Sequence, residues 1–302
     1  MNKRLFAYKR AIAICVVSAS FVMAKGQNVG EYGFLDIPVS PRAVALGGSA
    51  ISVVEPEAAL ADQNPALLCP EMAREVSLSY INYVSDINLG YASFTGNFLS
   101  EGAWMGSVRY VDYGDFAGYD ANGNPTGSFS AKDIAFGASV GYPINDRWNL
   151  GGTVRGIYTH YESYSAFALG VDVGVNYYNE NSGRSYSLVV SNLGGQLKSL
   201  DDRYQHLPTQ VSAGMTKEVE HLPICVTVAA RDLLDWDYSF IKHFALGAEW
   251  IISDSLYFAA GYNFRHLSAG GGFKYRNWNF QAAYARYNRI DGSLNIGISY
   301  NL

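Results

Sequence analysis

Histidine, serine and acidic side chains are the residues with which this chain of 302 residues could catalyse hydrolysis. The five histidines are His160, His206, His221, His243 and His266. One of them opens the run His160-Tyr161-Glu162-Ser163, which could form a lipase-like group. A catalytic base must be oriented by a third side chain, and nothing in the sequence argues for such a group; no HExxH pattern occurs either. We therefore predict no catalytic residue and no enzymatic activity, with a lipase as the weakest alternative.

Ligands for a metal ion or a phosphate-bearing cofactor are equally few. Cys69 and Cys225 fit no metal-binding spacing, and whether they pair is open. The run Gly270-Gly271-Gly272 lacks the Lys-Ser/Thr pair and the following helix of a phosphate-binding loop. Glycines in a strand more often leave room for a neighbour, such as the backbone of a segment inside the fold. We predict no metal and no cofactor.

The first 24 residues have the pattern of a cleaved secretory signal peptide. Four basic residues precede an apolar run from Ala11 to Val22. The residues Val22-Met23-Ala24 then form the expected cleavage site. This run is too short to cross a bilayer as a helix, which excludes a membrane anchor. Cleavage after Ala24 leaves 18 basic and 27 acidic residues, a net charge of −9. Phosphate contact needs clustered Lys and Arg, so nucleic acid is excluded as a partner.

Beyond Glu75 the sequence alternates between apolar and small or polar residues. In residues 134–142 every second residue is apolar, and alanine, glycine or serine lies between. Period two gives a strand one apolar and one small or polar face, and a tilted strand of about 9–11 residues crosses a membrane. The 23 Tyr, 15 Phe and 5 Trp, often at the ends of these stretches, are typical of rings at the headgroups. A secreted β-sandwich would have strands of about 5–6 residues.

We therefore predict an all-β fold, a transmembrane outer-membrane β-barrel of about fourteen antiparallel strands. The strand centres are expected near Ser79, Ala92, Ser107, Gly137, Thr153, Val171, Val189, Gly214, Thr227, Leu246, Ala259, Gly271, Ala282 and Gly297. Connections alternate between short polar turns, such as SDS, and long segments, such as DYGDFAGYDANGNPTGSF. This alternation indicates periplasmic turns and extracellular loops, with both chain ends on the periplasmic side.

The last eleven residues, GSLNIGISYNL, predict the strand that closes the barrel. Leu294, Ile296 and Ile298 fall on one parity, and Asn295 and Gly297 fall on the other. An unpaired strand edge cannot face lipid, so this strand must pair with the first. Its apolar parity then faces the bilayer and its polar parity faces the lumen.

Residues 25–74 have no regular period and are too apolar for a solvated tail. Because they would lie at the periplasmic mouth, we interpret them as a hatch or plug that enters the lumen. Arg155 and Asp172, on the lumen parity of their strands, are expected to belong to an internal polar network. The predicted domains are a signal peptide at 1–24, an N-terminal hatch at 25–74 and a barrel at 75–302.

Two motifs in the predicted hatch resemble the N-terminal signature of FadL-like outer-membrane barrels. One runs from Pro41-Arg42-Ala43 to Gly47-Gly48, and the other is Asn64-Pro65-Ala66 with the two leucines that follow. The resemblance implies a fourteen-stranded barrel with an N-terminal hatch. It also implies one possible function, a channel for hydrophobic small molecules, although a shared fold does not fix function.

A wider set of motifs resembles the PorQ family of outer-membrane barrels in the type IX secretion system. The set comprises EYGFLDIPVSPRAVALGGSAIS, NPALL and YVDYGDFAGYDANGNPTGSFSAKDIAF, of which Tyr113, Gly114 and Phe116 belong to the most specific part. The resemblance covers nearly the whole chain after the signal peptide. It implies a non-enzymatic component of the attachment complex, with the sortase-like PorU, the barrel PorV and the surface protein PorZ as partners. It further implies that this complex processes cargo and attaches it to anionic lipopolysaccharide.

Between these functions, the motifs favour the attachment complex, with the FadL-like channel as the alternative. A barrel of about fourteen strands that contains a hatch is too narrow for a folded cargo domain, so we expect an anchor and not the secretion pore. The expected surroundings are outer-membrane lipid and lipopolysaccharide.

The segment DLLDWDYSFIKH is unusually apolar for a loop that faces water, and it is a candidate docking site for a surface partner. Trp236, Tyr238 and Phe240 would be its anchors, since buried aromatic residues dominate interface energies. Residues 195–207 would contribute to the same surface. The alternative is that the three rings share one parity and extend two strands as an aromatic girdle.

Overall fold

The chain forms a single antiparallel sheet preceded by short helical turns. The computed structural model describes residues 32–84, 87–119, 124–161, 164–199, 204–235, 240–287 and 292–302. The strands are β1 Glu75–Asn82, β2 Asn88–Phe98, β3 Gly102–Tyr119, β4 Pro125–Asn145, β5 Trp148–Tyr161, β6 Tyr164–Asn179, β7 Arg184–Lys198, β8 Gln210–Glu218, β9 Ile224–Ala230, β10 Phe244–Ser253, β11 Leu256–Asn263, β12 His266–Tyr275, β13 Trp278–Tyr287 and β14 Ser293–Asn301. Each of the fourteen predicted centres lies within one of these strands.

The sheet closes on itself. Each strand pairs with its neighbours in sequence, and β1 also pairs with β14 from Glu75↔Asn301 to Asn82↔Leu294. The predicted closed barrel of fourteen antiparallel strands and its predicted closing strand are confirmed. We call the end of the barrel that carries Glu75 and Asn301 the inner end, and the opposite end the outer end.

The two faces of the sheet differ in polarity as the period-two pattern predicts. On the outward face, Leu78, Phe136 and Trp250 are 50%, 58% and 56% exposed. On the inward face, polar side chains such as Thr159 and Asn295 are almost fully buried. A barrel with an apolar exterior and a polar interior is typical of membrane barrels. Among the described helices, none has the length and apolar character needed to cross a membrane.

The connections follow the predicted alternation only in part. The six connections at the inner end hold two to five residues, whereas those at the outer end hold from two to thirteen. The segment DYGDFAGYDANGNPTGSF was expected to be a loop, and this is wrong. It continues both flanking strands, with Asp115↔Ser130 and Phe116↔Phe129 among its pairs.

The cause of this difference is a β-bulge at Gly114. The register shifts between Asp112 and Asp115, and Gly114 adopts a φ of 78°, a conformation that glycine adopts readily. A stretch rich in glycine and aspartate therefore remains a hairpin. Since β2 pairs with β3 only as far as Asp112, and β5 pairs with β4 from Ala131, residues 113–119 and 124–130 project beyond both neighbouring strands.

Residues 32–74, which we call the N-terminal segment, lie inside the barrel. Its short helices are Gly33–Asp36, Pro41–Ala45, Ala58–Ala61, Pro65–Leu67 and Pro70–Met72, and two further turns, Glu180–Ser182 and Phe240–His243, lie between strands. Ser40 caps the helix that follows it by accepting a hydrogen bond from the Ala43 amide, and Pro41 occupies the first helical position. The segment ends where β1 begins.

Candidate functional site: the filled lumen and its outer mouth

The glycine pair of the motif at residues 41–48 lies against the barrel wall. Gly47 and Gly48 have φ values of 86° and 89°, in the left-handed region. The Gly47 amide donates to Ser268 Oγ (3.2 Å), and Asn263 Nδ2 donates to the Gly47 carbonyl (2.6 Å). On the wall, Gly261 leaves no room for a Cβ atom, because that atom would overlap the backbone of Leu46 and Gly47. Backbone thus packs directly on backbone.

The motif at residues 64–68 packs against the wall in the same manner. The Asn64 side chain donates to the Ile51 carbonyl (2.7 Å) and to Ser187 Oγ (3.1 Å), and it accepts from the Ala66 amide (3.0 Å). A Cβ atom on Gly151 would overlap Pro65, and one on Gly174 would overlap Asn64. The side chain of Asn64 is fully buried, and its bonds satisfy the amide in that position.

A charged network joins the N-terminal segment to the wall near the middle of the lumen. Asp62 lies 2.6 Å from Arg109 Nη2 and 3.4 Å from Arg155 Nη1, and Arg155 Nη2 lies 3.1 Å from Asp172. Arg109 Nη1 also donates to the Phe34 carbonyl (2.7 Å). Burial alone would raise the pKa of Asp62, but Arg155 and Arg109 outweigh it and hold that pKa below its usual range. The predicted polar network of Arg155 and Asp172 is confirmed.

A second network surrounds Arg42 toward the inner end. Its guanidinium lies 3.2 Å from Glu55, 3.3 Å from Glu57 and 3.6 Å from Glu249, and 4.0 Å from the centre of the Tyr257 ring. Burial acts to lower the pKa of Arg42, yet these neighbours raise it above its ordinary value. Arg42 therefore stays charged and ties the segment to β10 and β11.

The outer half of the lumen holds many apolar side chains on the side of β1 to β6 and of the connection after β7. Its wall and the N-terminal segment share one hydrophobic cluster, whose buried members are Tyr32, Phe34, Val39, Ala59, Ile81, Leu89, Tyr91, Val111, Ala135, Ile157, Ala168 and Leu207. Tyr83 and Tyr113 pack against it. A water-filled barrel has a polar interior, so this lining is unlike that of an aqueous pore.

Aromatic rings continue this lining to the outer mouth. Tyr113 and Tyr161 meet edge to face with ring centres 6.4 Å apart, and on the projecting hairpin Phe116 and Phe129 stack at 5.5 Å. Phe129 lies two residues from inward-facing Ala131, so this stacked pair continues the inward face of the barrel. Of the motif residues, Tyr113 and Phe116 thus contribute aromatic rings at the outer mouth, and Gly114 forms the bulge between them.

Comparisons with known proteins identify the architecture. No family model and no curated protein matches the chain. Among solved structures, the P. putida toluene transporter TodX has a TM-score of 0.61 at 12% identity, over 88% of this chain and 98% of that one. A Pseudomonas aeruginosa FadL homologue has a TM-score of 0.55 at 11% identity, over 88% and 98%. The chain has the fold of the FadL-like outer-membrane barrels.

Within this FadL-like barrel, the predicted docking loop is only partly described. Trp236 and Tyr238 lie outside the described residues. Phe240 is 67% exposed in the turn Phe240–His243, and its ring contacts Phe244 with centres 5.1 Å apart. Part of the companion range 195–207 turns inward: Leu207 is fully buried, and Gln196 donates to Tyr32 Oη (2.9 Å). Those two residues are unavailable to a partner.

The other residues that could take part in catalysis or metal binding lie far apart. His160 lies outward and stacks on Tyr158, while Glu162 and Ser163 fall outside the described residues. Among the described residues, no group of three or more His, Cys, Asp or Glu could hold a metal ion. Cys69 and Cys225 are free thiols, and burial raises the pKa of the Cys69 thiol to about 12.

The glycines of β12 do not face the N-terminal segment as expected. Gly272 leaves room for the Tyr257 ring and not for the N-terminal segment, whose backbone instead lies against other wall glycines such as Gly261. The partnership of Asp62 with Arg109 was missed. Arg109 carries a charge on the inward parity of β3, and that signal alone could have marked it as part of the lumen network.

Proposed function

We propose that this protein is an outer-membrane channel that admits hydrophobic small molecules from outside the cell. The observation that carries the proposal is the aromatic outer mouth above an apolar outer lumen. Burial of apolar surface stabilises a bound ligand by about 25 cal/mol per Å². The aromatic mouth and the apolar outer lumen therefore favour hydrophobic molecules over ions. The FadL-like fold, shared with a toluene transporter, supports the same class of ligand.

The N-terminal segment is then a hatch that must shift for a ligand to pass. It shares the apolar cluster with the wall and is held by the networks of Asp62 and Arg42. A small polar cavity of about 50 Å³ lies beside Asp62, Arg109 and Arg231. A cavity of this size holds a few water molecules, and water can replace broken contacts when the segment moves.

Binding of a monoaromatic hydrocarbon tests the proposal. Purified protein in detergent should bind toluene in equilibrium dialysis, and changing Phe116 and Phe129 together to Ala should weaken binding about tenfold (1.4 kcal/mol). The matched control is Phe136→Ala, which removes a ring from the outward face of β4. Absence of toluene binding by the unaltered protein, or equal affinity in the double variant, would refute the proposal.

A second candidate function is the attachment role implied by the PorQ-like motifs, and the projecting hairpin favours it. Residues 113–119 and 124–130 extend beyond both neighbouring strands and carry exposed Phe116 and Phe129. In this case the barrel is a non-enzymatic anchor in the outer membrane, exported by its signal peptide. It would hold PorZ, PorU and PorV at a surface rich in lipopolysaccharide.

Shortening the hairpin separates the two functions. Replacing residues 115–129 by Gly-Gly keeps every pair between β2, β3, β4 and β5 below the bulge, so the barrel should still assemble. If the protein is an anchor, affinity purification from cells in mild detergent should lose PorZ, PorU and PorV from the shortened variant. Purification of the unaltered barrel without these proteins would count against the anchor and leave the channel.

A further inference from the structure

Among the described residues of the outer lumen, Asp133 carries a buried carboxylate to which the proposed channel has so far given no role. It lies on the inward face of β4, directly below the mouth, and is fully buried. In contrast to Asp62, it forms no ion pair with any Arg, Lys or His in the part of the chain that the structure describes. Its nearest neighbours are neutral.

These neighbours satisfy the carboxylate only partly. Tyr113 Oη donates to Oδ2 at 2.6 Å, and Tyr161 Oη donates to the same oxygen at 3.4 Å. The other oxygen, Oδ1, has no hydrogen-bond partner, and neither has Oγ1 of Thr159 on the paired strand. Thr159 lies close enough to act on this carboxylate. A carboxylate has about four lone-pair sites, so this one retains acceptor capacity on its Oδ1 side even when the Thr159 hydroxyl turns to donate to it.

A buried carboxylate with spare acceptor capacity is matched by a cationic donor. An ammonium group brings three N–H donors and the compensating charge, and it is attracted to aromatic faces such as those of Tyr113 and Tyr161. The long contact from Tyr161 is the weaker of the two and can be given up to an incoming donor. The apolar cluster below, which the wall shares with the N-terminal segment, would receive the hydrocarbon part of the same molecule once that segment shifts.

We propose that Asp133, Thr159, Tyr113 and Tyr161 form a subsite for the ammonium group of a hydrophobic amine that enters through the outer mouth. This inference rests on the proposed channel function and narrows its ligand class to cationic amphiphiles. Ligands of the same shape that carry a carboxylate are disfavoured, because two like charges would then meet in a buried site.

Three compounds of one shape test the subsite: benzylamine, toluene and benzoate, each measured by equilibrium dialysis with the purified full-length protein. We expect benzylamine to bind at least tenfold more tightly than toluene, and benzoate to bind more weakly than toluene. Asp133→Asn should bring the affinity ratio of benzylamine to toluene close to one. Thr159→Val is a milder second variant that should lower the ratio several-fold.

The control is Asp115→Asn, which removes a carboxylate of equal charge from the exposed hairpin at the same mouth. If this control lowers the ratio as much as Asp133→Asn, general attraction of cations explains the data and the subsite is wrong. A ratio near one in the unaltered protein also overturns it, while toluene binding keeps the channel proposal. Benzylamine binding that depends on Asp133 without any toluene binding would retain the subsite and refute a channel for neutral hydrocarbons.

Discussion

Replacing Asp62 by asparagine should lower the stability of the closed lumen by about 3–5 kcal/mol, the typical cost of breaking a buried ion pair. The change keeps the side-chain volume but leaves Arg109 without its ionic partner and Arg155 with Asp172 alone. The measurement is the temperature at which the folded form disappears in gel electrophoresis of samples heated in detergent. Asp254→Asn, on the exposed turn after β10, is the matched control.

The ion pairs of Asp62 also predict how the stability of the folded protein changes in acid. Because the pKa of Asp62 is lower in the folded protein than in the unfolded chain, its contribution to stability is complete above the unfolded value of about 3.9. The contribution is lost as pH falls through the lower folded pKa. An unfolding temperature equal to that of the control variant would show that the network contributes nothing.

Changing Gly261 to valine should displace the N-terminal segment from the wall. Even the first side-chain carbon would overlap the backbone of Leu46 and Gly47, and neither backbone can rotate away as a side chain could. The bonds from Asn263 and to Ser268 would be lost together. We expect the segment to become accessible to protease and the single-channel conductance in planar bilayers to rise.

Gly90→Val is the control for this substitution. It adds the same side chain to the outward face of β2, where an added Cβ atom meets nothing within 4 Å. The control should therefore leave protease resistance and conductance unchanged. A segment that stays protected in the Gly261 variant would mean that the wall can yield at this position.

The strands could be predicted from the sequence because their signal is local. Alternation places Ile296 outward and Asn295 inward whatever the rest of the chain does, and the structure confirms both positions. The strand extensions at residues 113–119 and 124–130 were missed because their glycines and aspartates also suit a loop. Backbone pairs such as Asp115↔Ser130 and Phe116↔Phe129, which the residue types do not reveal, show them to be strands.

The lumen contacts could not be predicted, because they depend on how two distant parts of the chain face each other. Asp62 and Arg109 are separated by 47 residues, and their contact requires both the path of the N-terminal segment and the register of β3. The same holds for the glycines. Gly261 and Gly272 look alike in sequence, yet one faces the segment and the other faces the Tyr257 ring.

The close fit between wall glycines and the N-terminal segment also constrains how this sequence can diverge. A side chain gained at Gly151 or Gly174 is accommodated only if Pro65 or Asn64 changes or moves with it. Positions on the outward face, such as Gly90, carry no such condition. Among descendants of this chain, these wall and segment positions should therefore covary in pairs. Substitutions at the outward-facing Gly90 should be independent of the segment.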